Sequence, residues 1–201
     1  MMQLYLSLTS PFARKVRVAF HEKGIADRVV QRVVDPWQDD AELLATNPLL
    51  QVPALRLDDG LALTDSDTIL GWLERTHPQP SLWPTESTAR NRAEAIAALA
   101  QGIIDYAVFL VLEARRPQTE QSALMIERRR AGIRRAVDAL ESRFHHDTST
   151  FHLDAIAVAC ALAYLDFRHP DLDWRNRAPL CATWLNWAAQ RPSMQTTQPP
   201  A

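Results

Sequence analysis

Glycine is scarce in this chain, with five among 201 residues: Gly24, Gly60, Gly71, Gly102 and Gly132. No two of them are spaced to form the G-x-G-x-x-G turn of dinucleotide-binding folds or a P-loop, and no G-x-S-x-G elbow occurs. The H-E-x-x-H helix of common zinc hydrolases is also missing. These absences exclude Rossmann dehydrogenases, P-loop nucleotide hydrolases, typical α/β-hydrolases and the common zinc hydrolases.

Cysteine is rarer still, with two residues in the chain. Cys160 and Cys181 form no C-x-x-C pair and lack the close spacing of a tetrahedral zinc site. This usage is typical of a reducing compartment, and we interpret both residues as inert core side chains. His145, His146 and His152 lie near one another in the sequence, but without the carboxylate pattern of metal ligands. We interpret them as surface histidines and predict no metal site.

The sequence has no excess of positive charge and no long apolar run. A formal net charge of −2 argues against a nucleic-acid scaffold. The arginine-rich segment 127–135 is interpreted as a solvated helix face, with Asp138 paired to Arg134 four residues earlier. The N-terminus lacks the features of a signal peptide, and the longest apolar run, Ala155–Leu165, is shorter than the roughly 18 residues typical of a membrane span. We therefore expect a cytoplasmic protein that binds neither nucleic acid nor membrane.

The first 77 residues alternate strand and helix patterns. Asp59-Gly60 between alternating apolar residues predicts a hairpin turn with positive φ at both positions. The remaining signals predict, in order, a strand at Gln3–Ser7, a helix from Ser10-Pro11 to Gly24, a strand at Asp27–Val34, a short helix to Thr46 and a helix at Ser66–Arg75. This βαβ–ββα order is typical of a thioredoxin-like α/β domain over residues 1–77.

A proline-rich linker is predicted over residues 78–86, and only helices follow it over residues 87–201. The apolar periodicity predicts helices at Ala89–Glu113, Gln118–Phe144, Ala155–Leu165 and Pro179–Gln190. The last segment, Pro192–Ala201, is expected to be frayed. The predicted fold class is therefore α/β plus all-α, a thioredoxin-like domain followed by a helical bundle domain.

Three short segments of the first domain carry candidate binding groups. Ser10 opens a helix, where its hydroxyl and the positive end of the dipole would stabilise an anion such as a thiolate; alternatively, it only caps the helix. Val52 precedes Pro53, and a cis bond there would turn the Val52 backbone toward a peptide-like ligand; an ordinary trans bond is the alternative. Asp65 and Ser66 open the next helix. Ser66 would cap that helix while its backbone N–H donates to a ligand carboxylate, and Asp65 would pair with a ligand ammonium. Their alternative is a plain cap with an exposed aspartate.

At these residues the chain resembles the glutathione transferase family. The resemblance is carried by Ser10-Pro11-Phe12, Asn47-Pro48, Gln51-Val52-Pro53 and Asp65-Ser66, and it continues through Gln101–Asp105 and Ile156–Leu165. It covers nearly the whole chain in the expected order. The similarity is greatest to bacterial glutathione transferase-like proteins with a serine at the active-site position.

The resemblance implies a role for each matched residue. Ser10 would be the catalytic residue that hydrogen-bonds the sulfur of glutathione, the co-substrate. The glutathione contacts would be Gln51, Val52, Pro53, Asp65 and Ser66. The electrophilic second substrate would lie between the two domains, against Phe12, Asp105, Tyr106 and Phe109. Family members are usually homodimers, and Asp105 would reach the partner's glutathione.

The predicted function is a detoxifying glutathione transferase in which the bound thiolate attacks an electrophilic small molecule. The alternative is a non-catalytic member of the fold that acts as a partner-binding or regulatory module, as in the stringent starvation protein A relatives. Serine at position 10 replaces the cysteine of thiol–disulfide relatives, so a covalent enzyme thiol is not expected. Asp65 replaces the commoner glutamate, and His152 and Ala155 stand where many relatives have a capping box.

Overall fold

The computed structural model describes residues 1–200 and divides into two compact units. The first unit comprises Met1–Leu82 together with the segment from Arg191 onward, and the second comprises Trp83–Gln190. The boundary at residue 82 lies inside the predicted linker, 78–86. The last segment, however, belongs to the first unit and not to the helical domain to which its sequence position assigned it.

The first unit begins with the predicted alternation of strands and helices. Its elements are β1 (Met2–Leu6), α1 (Pro11–Glu22), β2 (Val29–Val33), α2 (Ala41–Thr46), β3 (Ala54–Arg56), β4 (Ala62–Thr64) and α3 (Ser66–Thr76). The sheet has the order β2-β1-β3-β4, with β1 parallel to β2 and antiparallel to β3, and β3 antiparallel to β4. This mixed sheet confirms the predicted thioredoxin-like arrangement.

Helix α1 has the boundaries that its end residues predict. Ser10 is the N-cap, and Pro11 occupies the first helical position. An N–H at that position makes no hydrogen bond within the helix, so proline, which has none, costs nothing there. Gly24 follows the C-cap with a φ of +67°, a left-handed conformation that glycine adopts without strain. The Ile25 N–H then donates to the Phe20 carbonyl at 3.0 Å, which closes the helix end.

The β3–β4 hairpin has a different turn from the predicted one. Of its turn residues, Gly60 has a positive φ, +89°, whereas Asp59 does not. The Leu57 N–H donates to the Leu61 carbonyl at 2.8 Å, and the Gly60 N–H donates to the Leu57 carbonyl at 3.0 Å. The connection is therefore a three-residue loop with one left-handed glycine, which uses the same Asp-Gly pair without positive φ at both positions.

The second unit is helical throughout its regular structure. Its helices are α4 (Ser87–Ala114), α5 (Ala123–Arg143), α6 (Leu153–Arg168), α7 (Trp174–Arg177) and α8 (Pro179–Ala188). Helix α4 packs against α5 and α6, and α6 is buried along most of its length. By length and composition alone α4 is also apolar enough to cross a membrane. One face of α4 packs against α5 and α6, and 33% of its apolar stretch is buried.

Two expected features of the second unit have different partners in the structure. Arg134 pairs with Glu127 at 3.1 Å, and Asp138 pairs with Arg177 at 2.6 Å, so the predicted Arg134–Asp138 pair is wrong. His152 is the N-cap of α6 and makes no side-chain cap bond, as its replacement of a capping residue suggested.

The C-terminal segment is ordered in the structure, in contrast to the predicted fraying. It forms α9 (Pro192–Thr196), which packs against α1. The Arg14 guanidinium donates to the Met194 carbonyl at 3.1 Å, and that of Arg17 donates to the Thr197 carbonyl at 3.2 Å. Arg191 makes a bidentate ion pair with Glu22, at 3.0 and 2.7 Å. These charge-assisted hydrogen bonds hold the segment in place, although its sequence lacks the apolar periodicity that would predict a packed helix. Ala201 lies outside the described residues.

Candidate functional site

The sheet register brings the three predicted binding segments to one end of the first unit. Tyr5 on β1 pairs with Ala54 on β3, and Ala54 pairs with Thr64 on β4. Because β1 and β4 both run antiparallel to β3, the residues after β1, before β3 and after β4 emerge at the same edge. Those residues are Ser7–Ser10, Gln51–Pro53 and Asp65-Ser66.

Ser10 caps α1 and keeps a donor available. Its Oγ accepts a hydrogen bond from the Ala13 N–H at 3.2 Å, so Ser10 is the N-cap of the helix. A hydroxyl has one O–H donor besides its acceptor lone pairs, and the cap uses only an acceptor. The side chain is half-buried at the first turn, where the unpaired amides and the helix dipole favour negative charge. The cap and an anion contact are therefore compatible in the same side chain.

The bond between Val52 and Pro53 is cis in the structure. Strand β3 begins at Ala54, so the Val52 N–H and C=O precede the strand ladder and lie at its open end. The side chain of Val52 packs against the small core cluster formed by Tyr5, Leu43 and Ala54. An extended peptide-like ligand could pair with this backbone as an added strand.

Asn47 organises the loop that leads to this cis bond, a role the sequence reading did not assign. Its side chain, 3% exposed, donates to the Gln51 carbonyl at 2.9 Å and accepts from the Leu49 N–H at 3.1 Å. Its backbone carbonyl accepts from the Leu50 N–H at 2.9 Å. Gln51 itself is exposed. The signal was present in the Asn47-Pro48 motif, but only the loop geometry shows its function.

The roles of Asp65 and Ser66 at α3 differ from the predicted ones. Asp65, not Ser66, is the N-cap: its Oδ1 accepts from the Asp67 N–H at 2.8 Å and from the Thr68 N–H at 3.1 Å. Asp65 has a φ of +74° and a ψ of 137°, a sparsely populated conformation outside the left-handed helical region. Ser66 is the first helical residue and is 1% exposed. Its buried Oγ has no hydrogen-bond partner among the described residues.

A buried hydroxyl without a partner is costly unless a ligand satisfies it. The unpartnered Ser66 Oγ therefore indicates that a polar ligand binds at the α3 N-terminus, where backbone amides already favour an anionic group. Asp65 is exposed beside it and offers a carboxylate to a cationic group. Together they match the carboxylate and ammonium of an amino-acid head group.

The residues predicted for the second substrate belong to both units. Phe12 is a half-buried residue of the first turn of α1. On α4, Tyr106 and Phe109 lie under the Arg129 guanidinium, at 4.3 and 5.1 Å from the ring centroids. Asp105 is exposed and accepts from Gln101 at 3.0 Å. The structure thus brings Tyr106 and Phe109 together, with Asp105 at an exposed position beside them in the sequence.

The second unit also assembles a cluster that the sequence reading did not find. Glu141, His146 and Cys181 place one potential ligand atom each within 4.8 Å of one another. Burial raises the pKa of the Cys181 thiol to about 12 and lowers the pKa of His146 from its usual value. At neutral pH, and with no bound ion, Cys181 is therefore a protonated thiol and not a nucleophile. His146, interpreted above as a surface residue, is half-buried against this thiol.

Comparison with known proteins agrees with this architecture. Residues 9–76 match the family model for the glutathione S-transferase N-terminal domain, and residues 125–186 match that for the C-terminal domain. The chain is 34% identical to the uncharacterized GST-like protein YibF of Escherichia coli K12 over 99% of both chains. It is 35% identical to the maleylacetoacetate isomerase of Pseudomonas aeruginosa over 49% of this chain and 48% of that protein.

The chain is also similar to the solved structure of a glutathione transferase family member from Pseudomonas fluorescens Pf-5 with bound glutathione. The alignment covers 100% of both chains. It has a TM-score of 0.94 and 42% sequence identity. The match spans both units, and the two family models lie one in each unit in the expected order. This chain therefore belongs to the glutathione transferase family.

Proposed function

We propose that this protein is a glutathione transferase that binds glutathione in its first unit and directs the thiolate at an electrophilic small molecule. The observation that carries the proposal is the common edge of the sheet on which Ser10, Val52 and Asp65-Ser66 lie. These groups match the parts of a tripeptide with a central thiol. The hydroxyl donor suits the sulfur, the open strand end suits the peptide backbone, and the head-group site suits the amino-acid terminus. The similar Pseudomonas fluorescens protein holds glutathione, which supports the same ligand here.

Ser10 is proposed to stabilise the thiolate. Because its Oγ already accepts from Ala13 N, its O–H is free to donate to the sulfur. The α1 dipole adds to this effect and lowers the thiol pKa from a cysteine reference of about 8.5 toward neutrality. The thiol proton is released to solvent. The sulfur lone pair then forms a bond to the electrophilic carbon, and the leaving group departs with its bonding pair.

Positioning of the tripeptide accounts for the remaining residues. The Val52 backbone pairs with the cysteinyl unit across cis Pro53, with Gln51 beside it. Asp65 holds the γ-glutamyl ammonium, and the N–H and hydroxyl of Ser66 hold its carboxylate. Such fixed contacts supply proximity, which is a large part of the rate of a bimolecular reaction.

The second substrate and the assembly are parts of the same proposal. The aromatic rings of Phe12, Tyr106 and Phe109 are the proposed apolar contacts of the electrophile. Asp105 is the proposed contact to glutathione of a partner subunit in a homodimer. A detoxifying role follows if the substrates are reactive foreign electrophiles, and a cytoplasmic location is proposed with it.

Glutathione binding is the first test, by titration calorimetry of the wild type and Asp65→Asn. Asparagine keeps the cap acceptor and has nearly the same shape as aspartate, so the backbone at position 65 meets the same side-chain volume, but it removes the charge. Asp65→Ala would also remove the cap, so it is the less informative change. We expect glutathione to bind the wild type and to bind Asp65→Asn about tenfold more weakly, since one charged hydrogen bond is lost. Equal affinities would remove Asp65 from its assigned role.

Activity is the second test, with a panel of small electrophiles and the Ser10→Ala variant. Conjugation that slows strongly in Ser10→Ala supports the proposal, whereas equal rates would contradict the role of Ser10. Turnover of the electrophile without consumption of glutathione would instead indicate an isomerase, an alternative favoured by the similarity to maleylacetoacetate isomerase. Failure to bind millimolar glutathione would favour the non-catalytic partner-binding alternative.

A further inference from the structure

We propose that Glu141, His146 and Cys181 form a binding site for a borderline-soft divalent cation such as Zn²⁺. All three residues belong to the second unit, whereas the proposed glutathione contacts belong to the first. The inference therefore does not depend on the proposed transferase reaction.

The ligand atoms of His146 and Cys181 are already close to the separation that a single ion requires. His146 Nε2 lies 3.3 Å from Cys181 Sγ, and all three ligand atoms lie within 4.8 Å of one another. In a tetrahedral zinc site, bond lengths of roughly 2.1 Å to nitrogen and 2.3 Å to sulfur separate the two ligand atoms by about 3.6 Å. Shifts of a few tenths of an ångström between His146 and Cys181, together with an approach of up to about 1 Å by a Glu141 oxygen, would admit the ion.

The donor set determines which ions fit. A thiolate, an imidazole and a carboxylate together suit Zn²⁺, whereas Ca²⁺ and Mg²⁺ require a shell of oxygen ligands. Three protein ligands leave the fourth tetrahedral position to a water molecule. On binding, the ion takes the place of the Cys181 thiol proton, which is released to solvent.

Neighbouring contacts hold two of the ligands in place. The Glu141 carboxylate accepts the Leu180 N–H and the Cys181 N–H, each at 3.0 Å, so it is fixed at the start of α8 beside the thiol. Its oxygens retain further lone pairs for an ion. The His146 ring packs edge-on against Phe144, with ring centroids 5.3 Å apart. Ligands oriented in this way before binding are typical of metal sites.

The site has a route to solvent and would join separate parts of the unit. Cys181 is buried, but Glu141 and His146 are partly exposed, so an ion can enter from their side. Glu141 lies near the end of α5, His146 in the loop before α6, and Cys181 in the first turn of α8. Zn²⁺ would therefore cross-link the α5–α6 loop to two helices and raise the thermal stability of this unit.

The test uses Co²⁺ and Zn²⁺ added to the purified, chelator-treated protein. Co²⁺ in a thiolate-containing site gives a near-ultraviolet charge-transfer band, which Zn²⁺ should displace. We expect one Co²⁺ per chain with this band in the wild type, and a Zn²⁺-dependent rise in Tm. The matched variants are Cys181→Ser and His146→Asn, with Cys160→Ser and His145→Asn as controls for the other cysteine and the adjacent histidine.

The proposal predicts that Cys181→Ser abolishes the charge-transfer band and that His146→Asn weakens Co²⁺ binding at least tenfold, while both controls bind like the wild type. His146→Asn alters a partly exposed loop residue, so it remains informative if Cys181→Ser does not fold. Absence of the band in the wild type, or an equal band and an equal Tm shift in Cys181→Ser, would overturn the site. Loss of Co²⁺ binding in His145→Asn alone would also overturn it.

Discussion

Lys15 on α1 and Asp67 on α3 form an ion pair of 2.7 Å in which the lysine side chain is 2% exposed and the aspartate 62% exposed. Lys15 follows Ser10 by one and a half helical turns, and Asp67 follows Asp65 by two residues. The pair therefore ties together the two helices whose first turns carry the proposed glutathione contacts. It also gives one of the two lysines of the chain a fixed structural role.

Asp67→Asn tests whether this ion pair positions the α3 N-terminus. Because the aspartate is largely exposed, we expect the free energy of unfolding to fall by only about 1 kcal/mol. Glutathione affinity should fall severalfold as the first turn of α3 loses its anchor to α1. Urea unfolding and calorimetry measure the two effects, with exposed Asp27→Asn as the control. Wild-type affinity in Asp67→Asn would show that the pair does not position the site.

Ser66→Ala separates binding from stability. Removal of a buried hydroxyl that has no partner should leave the unfolding free energy unchanged or slightly higher. Glutathione affinity should fall about tenfold, because a hydrogen bond to a charged carboxylate is lost. Ser193→Ala is the contrast: its buried hydroxyl donates to Glu22 at 2.5 Å, so it should lose about 1 kcal/mol of stability with unchanged glutathione affinity. Lower stability in Ser66→Ala would mean that the hydroxyl serves the fold.

Ser10→Asp separates capping from thiolate stabilisation. Aspartate caps helices as well as serine does, so stability should be retained. It has no hydroxyl donor and places a negative charge beside the sulfur, so the pKa of bound glutathione should rise toward its free value. Ultraviolet titration of the bound thiolate measures this change. Ser122→Ala removes a comparable cap from α5 and should lower stability by about 1 kcal/mol with no effect on the thiolate. A thiolate pKa unchanged in Ser10→Asp would contradict the role of Ser10.

Acid should destabilise the second unit through His169. Burial lowers the pKa of this histidine, with Arg130 and Arg168 acting in the same direction and the Ala107 carbonyl and Asp171 opposing them. Because the folded pKa lies below the unfolded value of about 6.5, the stability from neutral His169 is complete above that pH and is lost as pH falls through the folded pKa.

Urea midpoints measured from about pH 7.5 down to about pH 5.5 should therefore decrease, and the decrease should be smaller in His169→Gln. Glutamine can still donate to the Ala107 carbonyl, which His169 Nε2 contacts at 2.9 Å. His146, whose pKa burial also lowers, contributes in the same direction. Its contribution remains in His169→Gln. An unchanged pH dependence in this variant would exclude His169 as a source of the effect.

Features encoded in neighbouring residues could be predicted from the sequence. The Ser10-Pro11 start of α1 and its Gly24 end follow from local capping and backbone preferences. The βαβ–ββα order follows from alternating periodicities. The cap of α3 could not be assigned, because Asp65 and Ser66 are adjacent and the positive φ that selects Asp65 is visible only in the structure.

Features that depend on distant packing were missed. Cys181 reaches Glu141 and His146 only because α8 begins beside the end of α5, and no spacing rule links residues so far apart. The C-terminal segment lacks an apolar stripe, and its order comes from arginines of α1.

The return of α9 to α1 makes the helical unit an insertion within the first unit, although the chain reads as two consecutive domains. During synthesis the sheet-containing unit lacks α9 until the whole of the helical unit has been made. A fragment ending at residue 82 would lack the Met194 and Thr197 carbonyls that accept hydrogen bonds from Arg14 and Arg17. In topological terms, residues on both sides of the helical unit belong to one body, and a cut between the apparent domains divides it.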